Sequence, residues 1–371
     1  MRRTCFALAA VVAVCAAVLL AQPAQQATGP YSVTKTAKVG GLGGFDYIYA
    51  DVANRRIYIP RGAVQGATPL PGRVTVFDLD TLAPVTEIPD IRANGAAVDV
   101  KSGHAFASSK PVAMWDAKTL KPIKTIEIDA KASPDGIYAD PFNQRVYVFS
   151  HPTADATVID AKDGTLLGTI DLGGAPEQAV GDGKGHLYVI IQDKANVAVV
   201  DAATMKVTAH YEFGDKGSRC NGLALDAKNQ VLFAECGQSG NPPATPAQPV
   251  MIVMNATNGN IITTLPLAGS SDGAVFNPAT MEVFSSHGNG TMTIVKEKNP
   301  TSFEVEQNLQ TKPGAKCLTL DTKTNRILTD AAEFGPAPPP PPPDPNNPAG
   351  ARRGGRGPML PDSFSILVIS K

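Results

Sequence analysis

Seven polar residues recur at one place in a repeating pattern: Asp46, Asn94, Asp135, Glu177, Asn221, Asp272 and Lys316. Each stands five residues before a marker that ends a strand-like run, the markers being Asp51, Asp99, Asp140, Asp182, Asp226, Asn277 and Asp321. Four carboxylates, two amides and one ammonium brought to one opening would attract a cation or a polyhydroxylated ligand, because clustered like charges relax when a counter-ion arrives. A divalent cation is the cofactor such a set could take, although no local spacing demands one. Run ends that simply face water would carry the same residue types, so the pattern alone leaves that alternative open.

A second group ends the runs that follow: Arg61, Lys110, His151, Gln192, Glu235, His287 and Glu333. These should surround the first set, with Arg61 added to the ligand-binding candidates. A histidine beside carboxylates can act as a general base or complete a metal site, which makes His151 and His287 the catalytic candidates. Either could equally be a solvated loop residue. His104 and His186 fall in short turns at the other end of the runs, and His210 lies in an outer run. No HExxH, CxxCH, Walker loop or GxSxG elbow occurs, so nothing local supports a zinc protease, a haem protein, a nucleoside-triphosphatase or a serine hydrolase. The GGLGG of Gly40 to Gly44 is followed by no helical pattern and is not a dinucleotide fingerprint.

Positioning these residues is the task of a repeat. From Ser133 to Leu172 the chain reads SPDGIYAD, PFNQ, RVYVFS, a short gap, ATVID, AKDG and TLLGTIDL. Short runs rich in Val, Ile, Tyr and Thr, bounded by Pro, Asn, Asp and Gly, predict four strands of one antiparallel sheet. Steps between successive markers are 48, 41, 42, 44, 51 and 44 residues, which predicts seven such units. One sheet cannot cover its own two apolar faces, and circular repetition supplies the neighbours. The expected fold is all-β: a seven-bladed β-propeller of four-stranded antiparallel blades, its first strands lining a central channel. The first strand of blade one is expected to begin near Phe45. The seventh unit lacks one strand, and a spare run at Tyr31 to Val39 should join it and close the ring. Trp115 is read as blade packing.

Links between second and third strands are long at Arg61 to Gly72, Gly237 to Gln248 and Glu333 to Asp362, all on one face, where repeat proteins place binding surface. The insertion at 333–362 carries Pro338 to Pro343 and then Arg352, Arg353 and Arg356, which predicts a semi-rigid polyproline segment followed by an unpacked one. It could recruit an envelope protein or polymer, or serve as a linker. Residues 1–27, with Arg2 and Arg3 ahead of an apolar run from Phe6 to Leu20 and small residues beyond, read as a signal peptide, leaving 28–371 as a single domain in the periplasm or outside the cell; a retained membrane anchor is the alternative, for which the run is short. Without Arg2 and Arg3, 31 Lys and Arg face 34 Asp and Glu, a balance that gives no general field for nucleic acid or anionic lipid. No later run would span a membrane, and a monomer is expected. Cys220 and Cys236 should lie nearly opposite each other across a hairpin, where an exported chain could oxidise them; two buried thiols are the alternative, and Cys317 is expected to be one.

The strand signatures carry a resemblance. Tyr147-Val148 and Tyr188-Val189, followed by Thr157 to Asp160 and Val197 to Asp201, resemble the YVTN repeat of bacterial YncE-like β-propellers, and the similarity extends over all seven units. It implies a seven-bladed propeller of the cell envelope. A nucleic-acid-binding role is associated with the family's namesake, which this charge balance does not favour. The repeat itself is a packing motif shared by ligand-binding proteins, surface-layer proteins and some enzymes. A binding or scaffold module is therefore the first expectation. The alternative is a metal-assisted lactonase or streptogramin-lyase-like enzyme, an activity related propellers carry in a central site built from His, Glu and a divalent ion.

Overall fold

A computed structural model describes residues 29–66, 68–240, 245–246, 248–337 and 357–371. The signal-peptide run and the proline and arginine stretch from Pro338 to Arg356 lie outside the described residues.

Each unit turns on its marker. Asp51 accepts the backbone N–H of Asn54, Asp99 that of Ser102, Asp140 that of Phe142, and Asp226 those of Lys228 and Asn229, the side-chain-closed turn that Asp and Asn favour. Four residues after the marker, Arg55, Gln144, Gln230, Met281 and Asn325 adopt left-handed backbone, as the tight return requires.

Among the described residues the turns connect 28 strands in seven blades. A first strand, β1 (Ser32–Lys38), precedes blade one: β2 (Tyr49–Asp51), β3 (Arg56–Arg61), β4 (Arg73–Asp78) and β5 (Pro84–Pro89). Blade two is β6 (Ala93–Asp99), β7 (His104–Ser109), β8 (Val112–Asp116) and β9 (Pro122–Ile126). Blade three is β10 (Pro134–Asp140), β11 (Arg145–Ser150), β12 (Asp155–Asp160) and β13 (Leu166–Asp171). Blade four is β14 (Pro176–Gly181), β15 (His186–Ile191), β16 (Asn196–Asp201) and β17 (Lys206–Glu212). Blade five is β18 (Ser218–Asp226), β19 (Val231–Gln238), β20 (Val250–Asn255) and β21 (Ile261–Pro266). Blade six is β22 (Ser271–Asn277), β23 (Glu282–His287), β24 (Thr291–Asn299) and β25 (Ser302–Gln310). Blade seven is β26 (Leu318–Asp321), β27 (Arg326–Ala331) and β28 (Ser365–Ser370), completed by β1 in the order β1-β28-β27-β26.

The spare N-terminal run thus fills the gap in the last blade, with Ser32 opposite Ser370 and Lys38 opposite Ser365. Arg55 of blade one reinforces the seam by a two-pronged contact with Asp321 of blade seven, at 2.8 and 2.7 Å. Between blades, side chains of the second strands fill the space. Tyr58, Phe106, Tyr147, Tyr188, Phe233 and Phe284 are all buried, and Trp115 of blade two packs edge-on to Tyr58 of blade one at 5.6 Å. Cys220 and Cys236 are register partners across β18 and β19, joined by a disulfide, and Cys317 is a buried free thiol. Among the described residues no helix is long and apolar enough to cross a membrane.

Two first strands are shorter than the sequence pattern predicts. β2 starts at Tyr49, not near Phe45, and β26 is only the four residues Leu318–Asp321. In blades two to six the corresponding ladder is interrupted at the same place, between Ala93 and Ala96, Pro134 and Ile137, Pro176 and Ala179, Cys220 and Gly222, and Ser271 and Gly273. An interruption of this kind re-aims the side chains it contains. In these five blades it contains the polar residue five before the marker, while Asp46 and Lys316 lie just ahead of their shortened strands.

Candidate functional site

Freed from the ladder, these side chains converge into a belt at one mouth of the channel. Asn94 Nδ2 donates to Asp135 Oδ1 at 2.9 Å. His151 Nε2 lies 3.3 Å from Asp135 Oδ2 and 3.4 Å from Glu177 Oε1. Gln192 Nε2 donates to Glu177 Oε1 at 2.6 Å and to Asn221 Oδ1 at 2.8 Å, and Asn221 Nδ2 donates to Asp272 Oδ1 at 2.8 Å. Lys316 Nζ then joins Asp272 to Asp46, meeting Asp46 Oδ1 at 2.9 Å. From blade one to blade two the circuit passes through the backbone, Tyr47 N donating to Asn94 O at 3.1 Å.

The belt is electrically uneven. On one side the Lys316 ammonium sits between two carboxylates. Burial opposes its charge, but the Asp272 and Asp46 carboxylates outweigh burial and raise Lys316 above the ordinary lysine range. On the other side, among the described residues, Asp135 and Glu177 pair with no lysine or arginine. Burial, then the charges of Asp135, Asp272 and Asp46, push the Glu177 carboxyl up to about 8. Burial and Asp46 likewise raise Asp135, with His151 working against them. His151 Nε2 is itself buried with no hydrogen-bond partner among the described residues. One histidine nitrogen and two carboxylate oxygens lie within 4.8 Å of one another there. A nitrogen and oxygen donor set of this size suits a borderline divalent cation, and an orphaned nitrogen aimed between two carboxylates is what such an ion would satisfy. Asp46, Asp272 and Cys317 form a second close group. Lys316 already occupies the space between its two carboxylates.

Of the residues expected around the belt, only His151 and Gln192 join it. Arg61 is 1% exposed and turned into the protein, donating to Gly43 O and Gly41 O with its guanidinium 3.8 Å over the Phe364 ring. Lys110 reaches Ala130 O and Ala132 O of the link between blades two and three, and Glu333 pairs outward with Lys312 at 3.0 Å. His287 is fully buried, its Nε2 3.0 Å from Ser285 Oγ and its Nδ1 2.8 Å from Thr291 Oγ1. Glu235 is fully buried in the same network, accepting from Ser271 and Ser285. Register explains the difference. Ser150 and Ile191 are the partners of Pro134 and Pro176, the residues just before Asp135 and Glu177, so His151 and Gln192 follow one step later. His287 is the partner of Ser271 itself, and Glu235 that of Gly222, so both stop short of that position. His104 and His186 contact Ala161 O and Asp182, and His210 contacts Asn196, all away from the belt.

The residues just after the belt positions form a layer that sequence reasoning missed: Tyr47, Gly95, Gly136, Gln178, Gly222, Gly273 and Cys317. Four glycines leave the room that two large side chains cross. Tyr47 lies 3.5 Å from where a Cβ on Gly95 or Gly136 would stand. Gln178 spans the channel in the other direction, its Oε1 accepting from Leu223 N and Ala274 N at 3.0 Å and its Nε2 donating to Ala274 O at 2.8 Å. Below this layer a cavity of about 460 Å³ runs toward the opposite face, lined by Ile48, Tyr138, Val180, Leu225, Phe276 and Leu320 among others. The belt is thus a shallow dish with a floor. The signal was present as a glycine in four of seven repeats at one position.

No family model matches the chain, and no curated protein matches its sequence. The fold is similar to a chain in the crystal structure of the mitotic checkpoint complex, with a TM-score of 0.65, 11% identity, and 89% of this chain and 95% of that one covered. It is also similar to the Pan2 WD40 domain of Neurospora crassa, with a TM-score of 0.62, 13% identity, and 88% and 89% covered. At these identities the likeness concerns the fold alone: the chain is a seven-bladed β-propeller with WD40-like structural neighbours.

Proposed function

We propose that the protein is a binding module of the YncE-like kind, exported to the periplasm or beyond, whose working surface is the belt at the channel mouth. Its centre is the Asp135, His151 and Glu177 corner, and its ligand is a small divalent cation or a polyhydroxylated molecule held through one. The observation that carries this reading is the position of His151 Nε2, 3.3 and 3.4 Å from two carboxylates that pair with no other cation among the described residues. The floor of Tyr47 and Gln178 favours a ligand that enters from this face and stops there. The long links on the same face would supply the surroundings for an envelope protein or polymer.

Thermal unfolding with Mn²⁺, Zn²⁺, Ca²⁺ and a set of sugars, on the wild type and on Asp135→Asn with Glu177→Gln, tests it. A ligand at 100 times its dissociation constant adds about 2.7 kcal/mol to the native state, a clear rise in midpoint. A rise confined to the wild type is expected; the absence of any rise, or an equal rise in the variant, removes the belt as the binding site.

A second reading is favoured by the same histidine. An imidazole between two carboxylates, one of them with its pKa near 8, can take a proton from water or substrate and pass it on, as a metal-assisted lactonase or streptogramin-lyase-like enzyme needs. A divalent ion held at this corner would supply charge stabilisation for the acyl or lyase chemistry. Turnover of a lactone panel that is lost in His151→Ala would establish it. Cation binding without turnover would leave the binding module standing.

A further inference from the structure

Away from the belt, between blade seven and blade one, two arginines are buried side by side. Arg61 and Arg73 are register partners on β3 and β4, and they are 1% and 6% exposed. Their guanidinium groups converge on the loop of Gly40 to Gly44: a Cβ on Gly41 would stand 3.5 Å from Arg73 Nη2 and 3.8 Å from Arg61 Nη1. Gly41 has φ +82°, so the loop reaches this close approach in a conformation that disfavours any side chain. A cavity of about 200 Å³ opens beside them, bounded by Gly40, Gly41, Val85 and Glu87.

Two like charges out of water need compensation. The hydrogen bonds of Arg61 go to Gly41 O, Gly43 O and Met359 Sδ, none of which is an anion. Arg73 Nη2 donates to Leu42 O, and its Nε donates to Glu87 Oε1 at 2.9 Å, the one carboxylate bonded to either guanidinium among the described residues. That glutamate is 56% exposed and shares its charge with solvent. Arg73 Nη1 is buried and has no partner among the described residues. Asp330, a buried carboxyl whose pKa burial raises against the pull of Arg61, forms no ion pair with either guanidinium among the described residues.

The geometry points to an oxyanion site here: a phosphate or carboxylate group entering the cavity beside Gly41, received by Arg73 Nη1 and Arg61 Nη1, with Glu87 moving aside into solvent. Guanidinium groups suit such a group because their planar N–H pairs match its oxygens. The two Arg side chains already pack against the glycine loop and the Phe364 ring, so little order has to be gained on binding.

Calorimetric titration of the full chain with inorganic phosphate, and separately with acetate, at fixed ionic strength, tests this site. One site for at least one of the two anions is expected, and which anion binds identifies the class of group. Arg73→Met should weaken it by about tenfold or more, the loss of a charge-assisted bond. Val85→Glu, on the exposed outer strand, should do the same by placing a negative charge at the rim, and it keeps the test alive if Arg73→Met fails to fold. Glu87→Gln should tighten binding. No heat from either anion at tens of times a millimolar dissociation constant, or wild-type affinity in folded Val85→Glu, overturns the assignment.

Discussion

Gln178 of blade four pairs with the peptide of Ala274 in blade six as one strand pairs with another, its Nε2 donating to Ala274 O at 2.8 Å and its Oε1 accepting from Ala274 N at 3.0 Å. A side chain thereby does across the channel what no backbone could reach to do. The same Oε1 also holds Leu223 N of blade five. Gln178→Ala would strand two N–H groups and a carbonyl in the channel wall, and each unsatisfied group costs about 1–3 kcal/mol unless water replaces the amide. A loss of about 2–4 kcal/mol is expected, read as a lower urea midpoint with unchanged slope. A loss below about 0.5 kcal/mol would mean that channel water substitutes fully for the amide.

The buried pair in blades five and six sets a pH dependence. Burial pushes the Glu235 carboxyl up to about 8 and the His287 imidazole down to about 4, so both are neutral over much of the range between. Unfolded, Glu235 would release its proton near 4.5; its contribution is complete below that pH and is lost as pH rises toward 8. His287 works the other way, complete above about 6.5 and lost as pH falls toward 4. Glu235→Gln keeps the shape without the titration, since Gln can accept from Ser271 and Ser285 as the acid does. Between pH 5 and 8 its stability should fall less steeply than that of the wild type, by up to about 1.4 kcal/mol per pH unit. Parallel urea curves across this range would show Glu235 ionised in the native state.

Cation uptake at the belt should be proton-linked. With the Glu177 carboxyl at about 8, an ion bound at pH 7 must displace a proton from it or from its neighbours. Affinity is expected to rise between pH 6 and 8 by as much as about tenfold per unit, and to level off above. Calorimetry in buffers of different ionisation heat measures the proton released; Glu177→Gln should reduce the release.

Reduction of the Cys220 and Cys236 disulfide should cost stability without opening the ring. The bridge spans a sequence separation of 16, for which loop-closure entropy gives about 3 kcal/mol. A lower unfolding midpoint in Cys220→Ser with Cys236→Ser is the expected result. In the native protein Cys317 should resist a thiol reagent until the chain unfolds, because it is buried and its thiol is raised by burial and by Asp46.

How far the sequence goes is visible in particular residues. The marker aspartates give the period, because a turn that needs an acceptor at one position and left-handed backbone four residues on tolerates few alternatives. Counting back five from each marker finds the belt, since first strands run in the same direction from the same mouth. Counting forward along the second strand fails. Its end lies 11 residues past the marker at His151, 10 at His287 and 9 at Glu235, and a shift of one residue turns a side chain to the other face. The floor of Tyr47 and Gln178 was equally hidden, because two different large residues and four glycines share no residue type; their common property is the space they divide.

The ladder between β1 and β28 has one more consequence. Ser32 and Ser370 face each other as register partners, so two points 338 residues apart along the chain are neighbours in one blade. A linker of a few residues could join them, and the chain could be cut instead at an exposed point of an outer turn, such as between Lys162 and Asp163. Such a circular permutant would carry the same seven sheets and the same belt, with its seam moved to blade three. Folding order and the place where unfolding starts would then change while the binding dish did not, which separates what the seam does for stability from what the ring does for function.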